Sequence, residues 1–531
     1  MTQPVRGRRG IAVAPHALAS QSALAVLREG GNAVEAMVAA AATIAVVYPH
    51  MNGLGGDNFW LIHEPGGEPE VIGIDACGAA AAGVRAEHYG GAPIPFRGGS
   101  AALTVAGAVS GWDEALAVSR ERFGGRLPVS RLLADAIDYA RNGVPVTRSQ
   151  ARNTANKRAE LEHLPGFAQV FLPRGGAPEP GSLFFQPRMA ATLEQLARAG
   201  LDDFYRGDLG QRMAEELAAS GSPLRRADLQ AHRALRRTPL MLQHRYGRVY
   251  NMPPPTQGLV SLIILGLLDR LDIDGFDPLS ADYVHAAAEA VKQAFAVRDL
   301  HITDPAHMRV LAESFLEPAA LDAMAARISM SQAAPWGKGL GPADTVWLGV
   351  IDASGRAVSL IQSIYHEFGS GVVLPSSGIA WQNRGASFSL DPSHINALVP
   401  GKKPFHTLNP GLALLHDGRT MVYGNMGGDG QPQSQSAVFT RSVVFGMDPQ
   451  AAVEAPRWLL GRTWGQTSDT LKLEGRFPEA TVQALRARGH DVEVYGDFDE
   501  TFGHAGCLFR AAGGAMEGGF DPRSDGAVAA F

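Results

Sequence analysis

At 531 residues, with 45% apolar and 19% charged side chains, the chain has an ordinary globular composition and enough length to bury a large core. A net charge of -6, with no basic run interleaved with aromatics, argues against a nucleic-acid binder. Two cysteines, Cys77 and Cys507, are too few for a disulfide framework or a metal knuckle, and 62 glycines and 34 prolines without a short period mark a turn-rich chain and not a fibre.

In chain order, the first ten residues pass directly into a strand-like stretch at 11–14, with no apolar h-region and no small-residue cleavage site. The expectation is a cytoplasmic protein without a signal peptide. Ser20 is expected to cap a helix that stops at Gly30-Gly31, and Asn32 to start a second, almost wholly apolar helix over 33–47, ended by Pro49. The apolar run 34–48 contains Glu35 and is too short and Ala-rich for a membrane span. The cluster Gly53-Leu54-Gly55-Gly56-Asp57 lacks the order and the lysine of a phosphate-binding loop, so it reads as tight backbone packing beside a site. Strands are expected over 59–63 and 71–76, and a glycine-rich turn at 107–112 leads into a helix.

From about 128 to 300 the pattern is mainly helical with long loops, including a rigid Pro253-Pro254-Pro255-Thr256 loop, an apolar helix at 259–268 and an amphipathic helix at 286–300. Residues 329–343 are polar, small and rich in glycine and proline, and read as a flexible, exposed linker. It ends at Asp344-Thr345. There the texture changes to short strands and turns: a strand at 344–352, a turn at 352–355, a second strand at 357–364, and later helices near 449–454 and 478–488.

A threonine opening a buried strand is ordinarily only a β-branched residue in a place that suits it. A flexible linker running into that threonine is also what a self-cleaving N-terminal nucleophile enzyme requires. The hydroxyl can attack the preceding carbonyl, and the freed α-amine, whose ordinary pKa is about 7.7–8.0, can then take the hydroxyl proton near neutral pH.

Seven stretches resemble the γ-glutamyltranspeptidase family of N-terminal nucleophile hydrolases and stand in its order: 30–36, 53–56, 253–256, 289–295, 368–373, Gly424-Asn425-Met426-Gly427-Gly428 and 521–526. The resemblance implies an α/β (α+β) fold, a four-layer αββα sandwich. It implies cleavage between Asp344 and Thr345, giving a large segment 1–344 and a small segment 345–531 that stay together as a heterodimer, which could pair into a dimer of heterodimers. It assigns Thr345 as nucleophile, Ser363 as a hydroxyl partner of the nucleophile, and the Gly427 and Gly428 amides as oxyanion hole. No cofactor, metal, nucleic acid or membrane is implied, and no cluster of histidines, cysteines and carboxylates with ligand spacing is evident.

Departures from the family pattern bear on the substrate. The arginine and aspartate that hold a γ-glutamyl group's charged ends read here as Cys77 and Ser387, the serine pair as His406-Thr407, and the strand's asparagine as Tyr365. A pocket without those partners does not suit a charged amino acid. Arg384, Tyr365, His406, Thr407 and His366 stand in their place, and an arginine fork suits a carboxylate. The pattern resembles the oxamate amidohydrolase branch of the family, which implies hydrolysis of a small carboxylated amide to oxalate and ammonia in purine-ring nitrogen catabolism. Three alternatives stay open: a γ-glutamyltransferase or glutathione hydrolase, a β-lactam side-chain acylase, and an unprocessed, inactive binding protein.

Overall fold

The computed structural model describes residues 3–337, 344–462 and 468–531, and of Asp344 the backbone. Side-chain alternation in one strand shows how the layers arise. In Asp344–Asp352, Val346, Leu348 and Val350 join a core shared with helices, while Trp347 and Ile351 join a second core shared with another sheet. A strand buried on both faces needs apolar residues at both parities, as this one has.

Around it lies a seven-stranded antiparallel sheet in the order Ala527–Ala530, Gly10–Ala14, Asp344–Asp352, Ala357–Tyr365, Asp57–His63, Val71–Ala76, Leu235–Arg237. A second sheet of seven runs Val5–Gly7, Met516–Phe520, Ala505–Arg510, Thr420–Asn425, Gly411–Leu415, Gly247–Asn251, Leu240–His244. Ile11, Val13, Phe59, Leu61 and Trp347 from the first sheet meet Leu412, Leu414, Val422 and Leu508 from the second. Helices Ala17–Arg28, Ala33–Val47 and Ala108–Phe123 cover the outer face of the first sheet. Gly258–Arg270 and Gln431–Phe439 cover that of the second, and Ala281–His301 packs on Gly258–Arg270. The result is the four-layer αββα arrangement that the family resemblance implies.

The helix Ala33–Val47 begins as its sequence predicts. Asn32 Oδ1 accepts the backbone N–H of Val34 and Glu35 (3.0 and 3.2 Å), and Glu35 Oε2 accepts the N–H of Asn32 (2.9 Å), a reciprocal capping box. Every residue of this helix is buried, and among the described residues no helix is long and apolar enough to cross a membrane. The C-terminal Asp521-Arg523 motif is structural. Arg523 forks onto both oxygens of Glu474 (2.6 Å each) and onto Asp521 (2.9 Å), and Arg457 pairs with Asp521, all out of water.

Several expectations are corrected. Ser20 is not a cap: the helix starts at Ala17 under His16, and the Ser20 hydroxyl donates to the Ala527 carbonyl (2.7 Å) inside it. The mainly helical stretch also holds three strands between Leu235 and Asn251, one at the edge of the first sheet and two closing one end of the second. The helix expected at 286–300 spans Ala281–His301 and is buried around most of its circumference. The linker is not free over its described part. Ala333 N–H donates to the Arg488 carbonyl (2.8 Å), Ala334 N–H to Glu289 (3.1 Å), and Lys292 Nζ to the Ala334 carbonyl (2.6 Å). Its last stretch, 338–343, lies outside the described residues.

Candidate active site

Thr345 is fully buried near the start of its strand, beside a register irregularity where Asp344 pairs with Tyr365 and Val346 with Gln362. Gln431 Nε2 donates to Thr345 Oγ1 (3.2 Å), so one hydroxyl lone pair is held by an amide that cannot itself take the proton. Gln431 is the first residue of the helix Gln431–Phe439, and its Oε1 accepts from Asn409 Nδ2 (3.3 Å). Asn409 also donates to the Thr407 carbonyl (2.9 Å), and Gln257 Nε2 bridges the carbonyls of Thr407 (2.8 Å) and Gly428 (2.9 Å). One chain of side-chain amides therefore ties Thr345 to the two segments that carry Thr407 and Gly428.

Gly427 and Gly428 close the strand Thr420–Asn425 onto that helix with φ of 117° and 53°. Both lie in a backbone region that a side chain rarely adopts, which explains a glycine pair there. The Gly53–Gly56 cluster packs as predicted. A Cβ on Gly55 would lie 2.1 Å from the Ala380 carbonyl oxygen, and one on Gly56 2.1 Å from that of Ser363. Ser363 ends the register with Asp57, and its Oγ accepts the Tyr365 N–H (2.8 Å).

Tyr365 has φ of 82°, a conformation that costs a non-glycine residue on the order of 1–3 kcal/mol. Its ring lies 3.9 Å under the Arg384 guanidinium, a contact worth roughly 0.5–2 kcal/mol, so the stack offsets part of the strain. Arg384 is itself fully buried. Its Nη1 reaches Thr407 Oγ1 at 3.4 Å, while Nε and Nη2 make no hydrogen bond among the described residues. Burial lowers its pKa to about 10, which still leaves it charged at neutral pH.

Around this cation the structure gathers His406, Thr407, Tyr365 and Asp57. His406 Nε2 lies 3.3 Å from Asp57 Oδ2, and burial holds His406 well below the usual imidazole range. The other predicted residues are engaged elsewhere. The Cys77 thiol donates to Asp75 Oδ1 (3.1 Å), and burial pushes its pKa up, which makes it inert. Half-buried Ser387 donates to the Phe405 carbonyl (3.3 Å). His366 stacks on Phe96 (4.8 Å between ring centroids).

Sequence reasoning missed Asp57, Gln431, Asn409 and Gln257. Asp57 stands inside the glycine cluster and could have been noticed there. The three amides carry no local signal. It also missed a grouping of His285, Glu289 and His490, whose ligand atoms lie within 4.8 Å of one another, which corrects the expectation of no such cluster. Its members already have hydrogen-bond partners. His285 Nδ1 and His490 Nε2 share a 2.8 Å hydrogen bond, and Glu289 accepts from Lys292 Nζ (2.6 Å) and Ala334 N–H.

Comparison with known proteins places this geometry. The model of the family described as Gamma-glutamyltranspeptidase matches residues 19–531. The chain is 62% identical over 523 residues to the oxamate amidohydrolase proenzyme of Klebsiella pneumoniae, covering 98% of each. It is 42% identical to the glutathione hydrolase-like YwrD proenzyme of Bacillus subtilis, covering 99% of each. The crystal structure of cephalosporin acylase from Bacillus halodurans superposes with a TM-score of 0.91 at 34% identity, over 100% of this chain and 97% of that one. Sequence and layer order together make this chain an enzyme of the γ-glutamyltranspeptidase family, with the N-terminal nucleophile hydrolase fold.

Proposed function

We propose that the chain is a self-cleaving threonine amidohydrolase that converts oxamate to oxalate and ammonia. The observation that carries this reading is Arg384: a buried guanidinium with two unsatisfied donor atoms, stacked on Tyr365 and next to Thr407, within the site that also holds Thr345. Those two donors lie side by side, and a carboxylate's two oxygens match such a fork. The 62% identity to an oxamate amidohydrolase proenzyme supports the same substrate.

In maturation, Thr345 Oγ1 attacks the Asp344 carbonyl, the acyl group moves from nitrogen to oxygen, and water cleaves the ester. This frees the Thr345 α-amine and leaves segments 1–344 and 345–531 as a heterodimer. In turnover the α-amine takes the hydroxyl proton, Oγ1 attacks the amide carbon, and the Gly427 and Gly428 amides hold the oxyanion. The amine returns the proton to the leaving nitrogen and ammonia departs. Water, deprotonated by the same amine, then cleaves the acyl-threonine and releases oxalate. Arg384 holds the carboxylate throughout, and Gln431 keeps Oγ1 oriented.

The test is ammonia release from oxamate by the purified protein, with Thr345→Ala alongside. Expected are two fragments on a denaturing gel and turnover in the wild type, and a single uncleaved, inactive chain in the variant. Release of a chromogenic amine from a γ-glutamyl anilide, without release of ammonia from oxamate, would instead make it a γ-glutamyl enzyme.

A further inference from the structure

The cation proposed to bind the carboxylate has a counter-ion that the reaction as written does not use. Asp57 opens the strand Asp57–His63 and is fully buried. Its Oδ1 accepts the N–H groups of Gly78 (3.1 Å) and Gly107 (3.0 Å). Its Oδ2 makes no hydrogen bond among the described residues and lies 3.3 Å from His406 Nε2, on a ring that makes none either. The other polar groups that face Asp57 are the Arg384 guanidinium, the Cys77 thiol, the Tyr205 phenol and the Gln382 amide. Lys403, three residues before His406, is already taken by Asp75 (2.6 Å).

Counting charge shows what an arriving carboxylate does. Empty, the pocket holds Arg384 positive, Asp57 negative and His406 neutral, and is balanced. A bound carboxylate adds one negative charge in a region closed to water, where an uncompensated charge is costly. One proton restores the balance, and the unpaired Oδ2 beside an unpaired ring nitrogen is a ready place for it. The carboxyl O–H would donate to His406 Nε2. We infer that Asp57 is the proton-holding counter-ion of the carboxylate subsite: a monocarboxylate binds on Arg384 together with one proton, held between Asp57 Oδ2 and His406 Nε2.

The inference rests on the reading of Arg384 as the carboxylate's partner. Burial already pushes the Asp57 carboxyl up to about 7, and a second carboxylate beside it acts in the same direction. The sign follows. Below pH 7 Asp57 already carries its proton, and binding takes up little. Above pH 7 binding takes up close to one proton, and affinity falls about tenfold per pH unit.

Calorimetry of pyruvate, which has oxamate's shape but no scissile amide, tests this at pH 8 in HEPES and in Tris. The dependence of the heat on the buffer's ionisation heat gives the protons taken up. Close to one is expected for the wild type at pH 8 and much less at pH 6. Asp57→Asn should bind pyruvate with no uptake at either pH. Binding without uptake, uptake that persists in Asp57→Asn, or no binding of pyruvate overturns the inference. If the variant does not fold, the wild-type contrast between pH 6 and pH 8 decides. Oxamate hydrolysis without proton-coupled binding sinks this inference alone; coupled binding without oxamate hydrolysis sinks the proposed reaction alone.

Discussion

In the proposed reaction Arg384 is the side chain on which substrate choice would turn, and its geometry separates it from a lysine. The planar guanidinium stacks on Tyr365 and offers Nε and Nη2 side by side, whereas an ammonium at that position would neither stack nor fork. Arg384→Lys is therefore expected to lose a charge-assisted hydrogen bond of about 1.5–3 kcal/mol, a rise in KM for oxamate of roughly 10- to 100-fold, with kcat within a few-fold. Steady-state ammonia release measures both, and an unchanged KM would remove Arg384 from the subsite. Thr345, Ser363, Arg384 and the His406-Thr407 pair stood out in the sequence as candidates because each either fills or breaks a motif. Asp57 and Gln431 did not. Their roles depend on contacts with His406 and Thr345, far away in the chain, and no spacing records those contacts.

Among the elements, the strand Asp344–Asp352 owes its position to Trp347, whose indole fills the space between the sheets and donates to Ser359 Oγ (2.9 Å). It fits because Gly349, Gly424 and Gly506 give it room: a Cβ on Gly424 would lie 2.1–2.4 Å from three indole ring atoms. Gly424→Ala must push Trp347 aside, and with it the strand that carries Thr345. The expected cost is on the order of 1–3 kcal/mol, together with slower appearance of the two fragments. Urea unfolding and a timed gel check these, and an unchanged midpoint with unchanged cleavage would show that the contact yields freely. Strands with clear alternation were readable from sequence. Those between Leu235 and Asn251 were not, because each is only three to five residues long and they sit between helices. The helix Gln431–Phe439 escaped notice for the opposite reason. It is wholly buried yet rich in glutamine and serine, so it has no apolar period. Its amides are satisfied instead by partners such as the Leu460 and Asn409 carbonyls.

For the molecule as a whole, buried histidines govern the response to acid. His16 and His504 are held at about 4, and His232 and His490 at about 3, while His50 and His406 lie well below the usual range, each chiefly through burial. All six stay neutral in the fold while the unfolded chain takes up their protons near pH 6.5, so each loses stability as pH falls below that value. Asp57 and Glu500, raised by burial to about 7, work the other way: the fold holds their protons between pH 7 and 4 and gains stability over that range. Shifts at His63, His244 and His285 join the first group, and those at Asp113, Asp352 and Asp525 the second. Asp521, held at about 2 by Arg457 and Arg523 against the opposing effect of burial, gives up its contribution only below pH 4. The balance of the large shifts is six against two, so the unfolded chain binds more protons than the fold between pH 6.5 and 5. The urea midpoint is therefore expected to drop steadily as pH is lowered from 7 to 5, before ordinary carboxylates titrate. A midpoint that stays flat or rises over that interval would mean that the histidines are protonated within the fold, and that the neutral His406 on which the proposed carboxylate subsite depends is wrong as well.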